Sequence, residues 1–415
     1  ELLRGDEATR PGGARGGLGP DQPVIRPAEL ERLQGLIAES GTDGWLLFDF
    51  RGRNPIASAV LGSEIVGSRR VFVLIPRAGS PVALVHAVDA ELWRGWPSQW
   101  TKRVWVRRET LAEELGALVR GKRLAVDISP NGAIPYLDGV PAGVADWIRS
   151  LGAMLVPSAD LVTRYCSVWT AEDVASHRRA AAAIAAIARE ALTRAGAAAA
   201  GEHPISEHEV AIWIRERFDR AGLLTEGSPS VSWGPNAART HYEPTAEESR
   251  PITRGALLLL DLWAREPGGI YADQTWMAAI GPATERDAEL WRVVRRARDA
   301  ALDLLGERVR SGTPVRGAEA DAAAKRVIAD AGHLVHTVSR TGHSIDRYGI
   351  HGFGPPIDDT ETYDDRLLLP GVGFSVEPGV YLPGVAGVRS EVNVVVGDRD
   401  ILVTPDDYQA DLLAV

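Results

Sequence analysis

Between Thr170 and Val396 the chain runs through helix, helix, strand, strand, and then does so again. This recurrence constrains the fold more than any single motif. The first pass opens at Thr170, three positions before Asp173, a pairing that suits a helix N-cap with an acid in the first turn. The Ala-rich helix that follows runs to about Ala198. Pro204 and the Ser-x-x-Glu box Ser206–Glu209 start a second helix. Its residues Val210, Trp213, Ile214 and Phe218 fall on one apolar face. Strand-like runs at Ala256–Leu262 and Gly269–Gly281 complete the pass. The second pass is Glu285–Val309, with Leu290, Val293, Val294 and Ala297 on one face, then Val315–Gly332, Gly371–Val376 and Ala386–Val396. Two units are too few for a solenoid. The pattern predicts an α+β domain with an internal pseudo-two-fold repeat.

The upstream part reads differently. Gly44–Phe50, Arg70–Pro76, Pro81–His86, Arg103–Arg107 and Arg123–Ile128 have the character of strands. Glu29–Ser40, Leu111–Val119 and Val144–Leu151 have helical periodicity. We expect an α/β domain over 23–166, a second domain over 170–415, and a disordered leader over the Gly-, Arg- and Pro-rich residues 1–22. The net charge of −10 leaves no basic excess for displacing counterions from a nucleic acid or for attraction to anionic lipid. No uninterrupted apolar window is long enough for a transmembrane helix, and the N-terminus lacks the apolar core of a signal peptide. The single cysteine, Cys166, allows neither an internal disulfide nor a Cys-based zinc site. A cytoplasmic location is expected.

Chemistry concentrates where acids meet apolar strands. Asp261 ends the run Leu257–Leu260. A carboxylate there is costly to bury unless something neutralises it, although a strand-end acid facing water is the plainer account of this residue alone. Asp273 lies inside the second run, and alternation puts Tyr271, Asp273 and Thr275 on one face. Two like charges buried on neighbouring strands need a proton or a cation between them; a simple Thr–Asp hydrogen bond is the alternative. His343 follows Gly342, and His351 precedes Gly352, positions that also suit ordinary loop residues. Glu377 closes the run Phe374–Val376 and is followed by Pro378, Gly379, Val380 and Tyr381. Glu391 enters Val392–Val396 two places after Arg389, its plain charge partner if both lie on one strand face. Together these give four carboxylates and one imidazole. Oxygen-rich ligation of that kind suits Mn, Fe(II), Co or Zn rather than a thiolate-seeking ion, and carboxylates can bridge a hydrolytic pair of ions.

From Thr170 to Gly397 the ordered set of Asp261, Asp273, Gly342-His343, Glu377-Pro378-Gly379-Val380-Tyr381 and Arg389-Ser390-Glu391 resembles the pita-bread metallopeptidases: prolidase, Xaa-Pro aminopeptidase and methionine aminopeptidase. The upstream half is similar to the N-terminal domain of prolidases and creatinases. The resemblance implies a pita-bread catalytic domain binding two divalent ions, Mn2+ first, with Co2+, Zn2+ or Fe2+ as alternatives. It implies that Asp261 binds one ion, that His343 and Glu377 hold the other, and that Asp273 and Glu391 bridge them. A metal-bridged water would be the nucleophile and Glu377 its general base. His241 and His351 match the histidines that donate to the substrate carbonyl or oxyanion. Arg389 and Tyr271 would bind substrate, Arg389 by gripping a carboxylate. Three departures stand out. The two aspartates are one residue further apart than is usual in the family. Trp276 replaces an arginine and Val392 an acid, losses that would be coupled if the two had paired. Tyr271 is shifted by one.

Three functions follow in order of fit. The first is hydrolysis of Xaa-Pro dipeptides, because proline nitrogen lacks the N–H that ordinary peptidases use; cleavage of longer peptides by an Xaa-Pro aminopeptidase is its near variant. The second is another metal-dependent reaction, a lyase or hydrolase, on the same scaffold, with Trp276 altering the pocket. The third is a binding module without catalysis, which the complete ligand set disfavours. A small peptide is the expected partner, with a homodimer as the assembly.

Overall fold

The computed structural model describes residues 25, 27–62 and 67–415. The leader expected over 1–22 lies outside them. Its first layer system is built on β1 (Gly44–Phe50), β2 (Arg70–Pro76), β3 (Val82–His86), β4 (Thr101–Trp105), β5 (Arg123–Val126) and β6 (Met154–Pro157). They form one sheet in the order β4-β3-β2-β1-β5-β6, in which only β2 runs against its neighbours. Alternate residues feed opposite faces. Trp45, Leu47, Val71, Val73 and Ile75 pack with α1 (Pro27–Glu39) and α2 (Pro55–Leu61). Leu46, Phe48, Phe72 and Leu74 pack with α3 (Arg108–Val119) and α4 (Ala142–Ser150). Covering both faces explains why β1 and β2 read as continuous apolar runs rather than alternating ones. A short α5 (Ala159–Val162) and a wide turn over Thr163–Ser167 lead out of this layer system.

The repeat is present. Its first unit is α6 (Ala171–Ala199), α7 (Glu207–Arg220), β7 (Ser230–Trp233), β8 (Leu257–Ala264) and β9 (Ala272–Ala279). Its second is α8 (Glu285–Ser311), α9 (Gly317–Asp330), β10 (Ser344–Ile345) and β11 (Gly373–Val376), followed by the hairpin β12 (Gly379–Leu382) and β13 (Ala386–Arg389), then β14 (Val392–Val396). β15 (Ile401–Thr404) and β16 (Leu413–Ala414) extend the sheets, whose orders are β16-β9-β8-β7 and β10-β11-β14-β15. Within each unit three antiparallel strands follow two helices, so β8 and β9 correspond to β11 and β14. Both expected N-caps form as reciprocal boxes, Thr170 with Asp173 and Ser206 with Glu209, each a stabilisation of about 1 kcal/mol.

A buried amide ties the two sheets together. The Asn393 amide accepts a hydrogen bond from the Asp273 N–H at 2.9 Å and donates to the Asp273 carbonyl at 2.7 Å. It thereby completes the backbone pairing of β9 across the pseudo-dyad.

Several boundaries differ from expectation. The run Ala386–Val396 is two strands, because the chain leaves the β12-β13 hairpin at Ser390 and joins the other sheet at Val392. Both pieces are buried, so hydropathy alone could not show the break. The fourth strand ends at Trp105, two residues before Arg107, because α3 begins at Arg108. The fifth ends at Val126 rather than Ile128, where the chain turns toward a 3-10 segment at Pro130.

Candidate metal centre

Asp261 lies on β8 and Asp273 on β9, with Asp261 opposite Thr275 and Trp263 opposite Asp273 in the ladder. All four side chains therefore share one face of the sheet. In the second unit Glu377 follows β11 directly and Glu391 stands just before β14. The repeat thus delivers one carboxylate pair from each half. His343 enters from the turn before β10. A Cβ on Gly342 would overlap the carbonyl oxygen of Ser375, so only glycine lets this turn approach β11. The His343 N–H then donates to Ser375 Oγ at 3.0 Å, and its carbonyl accepts from the Ser375 N–H at 2.8 Å.

These residues converge. His343 Nε2 lies 3.2 Å from Asp273 Oδ2 and 3.4 Å from Glu377 Oε1. Its Nδ1 lies 3.2 Å from the Ser344 carbonyl, the contact that leaves Nε2 as the ligand face. Asp273, His343 and Glu391 are all buried and offer ligand atoms within 4.8 Å of one another. Thr275 donates to Glu391 Oε2 at 2.7 Å, and Ser375 Oγ donates to Glu377 Oε1 at 3.0 Å. Asp273 Oδ1 and Glu391 Oε1 are buried without a hydrogen-bond partner. Burial, and then the charges of neighbouring carboxylates, Asp261 and Glu377 for Asp273, push the Asp273 carboxyl well above the usual range. Burial, then Asp273 and Glu377, do the same to Glu391.

Among the described residues, Arg389 is the one cation that counters this charge within the cluster. Its guanidinium contacts Asp261, lies 3.6 Å from Glu377 Oε2, and donates from Nε to Thr275 Oγ1 at 2.6 Å. Burial works against its charge, but Asp261, Tyr381 and the two glutamates outweigh it and hold its pKa well up. Arg389, expected to grip a substrate carboxylate, has its nitrogens turned to Asp261, Glu377 and Thr275 in this structure. Glu391 lies 3.9 Å from Arg389 Nε across the strand break, so the plain same-strand pairing of the two is not what holds Glu391.

The other expected residues divide. The ring of His351 stands edge-on to His343, centroids 4.4 Å apart. The charge of His343, then burial, Arg340 and His241, push the His351 pKa down to about 3, so this imidazole is neutral. His241 is exposed on the segment after the 3-10 turn Gly234–Ala238, close enough for its charge to reach His351. Tyr271 does not join the cluster. It is buried, with its hydroxyl donating to Glu226 at 2.7 Å, the Arg265 guanidinium over its ring and its carbonyl taken by His177. Trp276 points to the opposite face of β9 and packs against α6 and α7, so it does not shape the cleft. Val392 packs with α8 and α9. The two replacing residues lie in separate cores.

Four contributions escaped the sequence reading: Asn393, the bond of Thr275 to Glu391, the hydroxyl of Ser375, and Trp263. The last had a usable signal, since it stands two places after Asp261 and must share its face.

The donor set fits divalent ions. Four carboxylates meet one guanidinium, and two of their buried oxygens have no proton donor, which is costly unless a cation or a proton takes them. Hard oxygen donors with one imidazole are the chemistry of Mn, Co, Zn or Fe(II) sites. Fold and site together define a pita-bread metalloenzyme. A sequence model of the metallopeptidase family M24 matches residues 175–398, and the chain belongs to that family. It is 28% identical over 367 residues to a protein of Mycobacterium tuberculosis named probable dipeptidase PepE, covering 86% of this chain and 88% of that one. An Xaa-Pro dipeptidase of Lactobacillus delbrueckii is 36% identical over 176 residues, 42% of this chain and 44% of the relative. Among solved structures, dipeptidase PepE from Mycobacterium ulcerans superposes with a TM-score of 0.73 at 24% identity, covering 94% of this chain and 97% of that one. The prolidase of Thermococcus sibiricus gives 0.66 at 20% identity, covering 93% and 98%. Among the described residues no helix is long and apolar enough to cross a membrane.

Proposed function

We propose that this chain is an Xaa-Pro dipeptidase whose two ions are held by Asp261, Asp273, His343, Glu377 and Glu391. The observation that carries the reading is the pair of partnerless buried oxygens, Asp273 Oδ1 and Glu391 Oε1, one from each half of the repeat. The name of the mycobacterial relative, matched over most of both chains, favours a dipeptide substrate. That of the lactobacillar relative favours Xaa-Pro. When bound, the ions would polarise the scissile carbonyl and lower the pKa of water at the site.

The residues of the chain do the rest. Glu377, with Oε1 fixed by Ser375, is the base that takes the proton of the attacking water. His351, edge-on to His343, donates a hydrogen bond to the developing oxyanion. His241 serves the same oxygen or the adjacent carbonyl from the exposed side. Arg389 is a positioning residue that holds Asp261 in place. The same reading takes Mn2+ as the ion, domains over 23–166 and 170–415, a homodimer and a cytoplasmic setting.

The test is release of free proline from Leu-Pro and Ala-Pro by chelated protein given back Mn2+, beside the tripeptide Leu-Pro-Ala. Cleavage of the dipeptides alone is the expected result. Cleavage of the tripeptide as well would make the enzyme an aminopeptidase. Bound Mn2+ with no cleavage of either would overturn the reading in favour of another reaction on this scaffold.

A further inference from the structure

Trp263 stands directly across the ladder from Asp273, on the face that carries Asp261, Asp273 and Thr275. Side chains so paired have Cβ atoms about 4.5–5.5 Å apart, so the indole borders the carboxylate cluster. It is half-buried and packs on the apolar group of Trp169, Ile270, Tyr271, Ile345 and Val395, with Ile350 beside it. Ile345 and Ile350 lie on the segment between His343 and His351. The indole therefore borders both the Asp273 side of the centre and the segment leading to the oxyanion histidine.

Its orientation is fixed rather than adjustable. The indole Nε1 donates to the Glu226 carbonyl at 2.5 Å, Thr225 Oγ1 donates to the Trp263 carbonyl at 2.7 Å, and Gly227 leaves only van der Waals room beside the ring. Glu226 is in turn held by the Tyr271 hydroxyl. Tyr271 thus acts on this wall from behind, although it does not reach the cluster.

We infer that Trp263 is a specificity-determining residue: its indole closes the subsite beside Asp273 and limits the size of the Xaa side chain. This rests on the Xaa-Pro reading above, in which Xaa is the only part of the substrate that varies in size. A rigid aromatic wall tied at its polar tip and backed by packed apolar side chains cannot retreat from a larger group. It admits small side chains and excludes bulky ones. Volume differences in such a pocket are worth roughly 10–200-fold per methylene-sized step.

The experiment measures kcat/KM for Ala-Pro, Leu-Pro and Phe-Pro with Mn2+-loaded wild type, Trp263→Phe and Trp263→Ala. Bound Mn2+ and the inhibition constants of free alanine and phenylalanine are measured alongside. The Phe-Pro to Ala-Pro ratio should rise at least tenfold in Trp263→Ala and by less in Trp263→Phe. The phenylalanine inhibition constant should fall relative to that of alanine, and metal content should stay the same. A uniform drop for all three dipeptides, with both ratios unchanged, would overturn the inference while leaving the dipeptidase reading intact. The opposite failure, no cleavage of any dipeptide by wild type, would strike the dipeptidase reading, and calorimetric dissociation constants of free alanine and phenylalanine would still report on the wall. The milder Trp263→Phe keeps the test decisive if the alanine variant does not fold.

Discussion

Replacing Asn393 by leucine tests the join between the two halves of the catalytic domain. Asn393 is fully buried, and its amide occupies both backbone hydrogen-bonding groups of Asp273. Leucine has a similar volume but no polar atom, so the Asp273 N–H and carbonyl are left without their partner. Each unsatisfied buried group costs about 1–3 kcal/mol, which gives roughly 2–6 kcal/mol for the pair. Asp273 is also freed to move relative to His343 Nε2, now 3.2 Å away. Loss of an outer-shell partner of this kind lowers metal affinity about 10–100-fold. Asn393→Asp should do no better, because an aspartate can accept from the N–H but sets a second oxygen against the Asp273 carbonyl and adds a fifth carboxylate to the cluster. Urea unfolding of the chelated protein, followed by tryptophan emission, measures the first quantity, and calorimetric Mn2+ titration the second. A loss below about 1 kcal/mol in Asn393→Leu, with unchanged metal affinity, would refute the argument that this amide holds the two sheets in register.

Further outcomes follow from other buried groups. Burial pushes His177 down to about 4, with its rings of contact being the Tyr271 carbonyl and Thr404 Oγ1. Because its folded pKa is below the unfolded value, the wild type should lose stability as pH falls from about 6.5 to 4, by about 3 kcal/mol. His177→Gln should remove that fall, seen as a shallower dependence of unfolding free energy on pH. Arg366 is buried with Asp364 and also reaches Tyr136, Thr163 and the Phe353 carbonyl. Arg366→Met should cost about 3–5 kcal/mol by stranding the acid, and adding Asp364→Leu should restore part of it in the same denaturation assay. Arg389→Gln should destabilise the chelated protein far more than the Mn2+-loaded one, since the ions take over the neutralising role. An effect confined to KM would instead return Arg389 to the substrate.

What could be read from the sequence was local. Asp261, Asp273, Glu377 and Glu391 stand out because each interrupts or borders an apolar run, and His343 because a glycine that backbone approach demands precedes it. The two-unit order of helices and strands followed from periodicity and from the Thr170 and Ser206 caps. What stayed hidden depends on partners distant in the chain. Nothing near Asn393 shows that it pairs with Asp273, and nothing near Ser390 shows that the strand changes sheets there. Trp276 and Val392 looked like changes to the site because they stand where the family pattern has an arginine and an acid, yet strand alternation turns each to a core. The same alternation, applied to Asp261, would have placed Trp263 in the cleft.

The central claim is that the five residues form a centre for two divalent ions. It is tested most directly by titrating Mn2+ into the chelated protein near neutral pH in two buffers of different ionisation enthalpy. The account expects two ions per chain, with protons released on binding, because Asp273 and Glu391 are pushed toward their protonated forms until a cation arrives. Asp273→Asn and Glu391→Gln should each abolish tight binding. Absence of saturable binding, or binding that survives both substitutions unchanged, would contradict it.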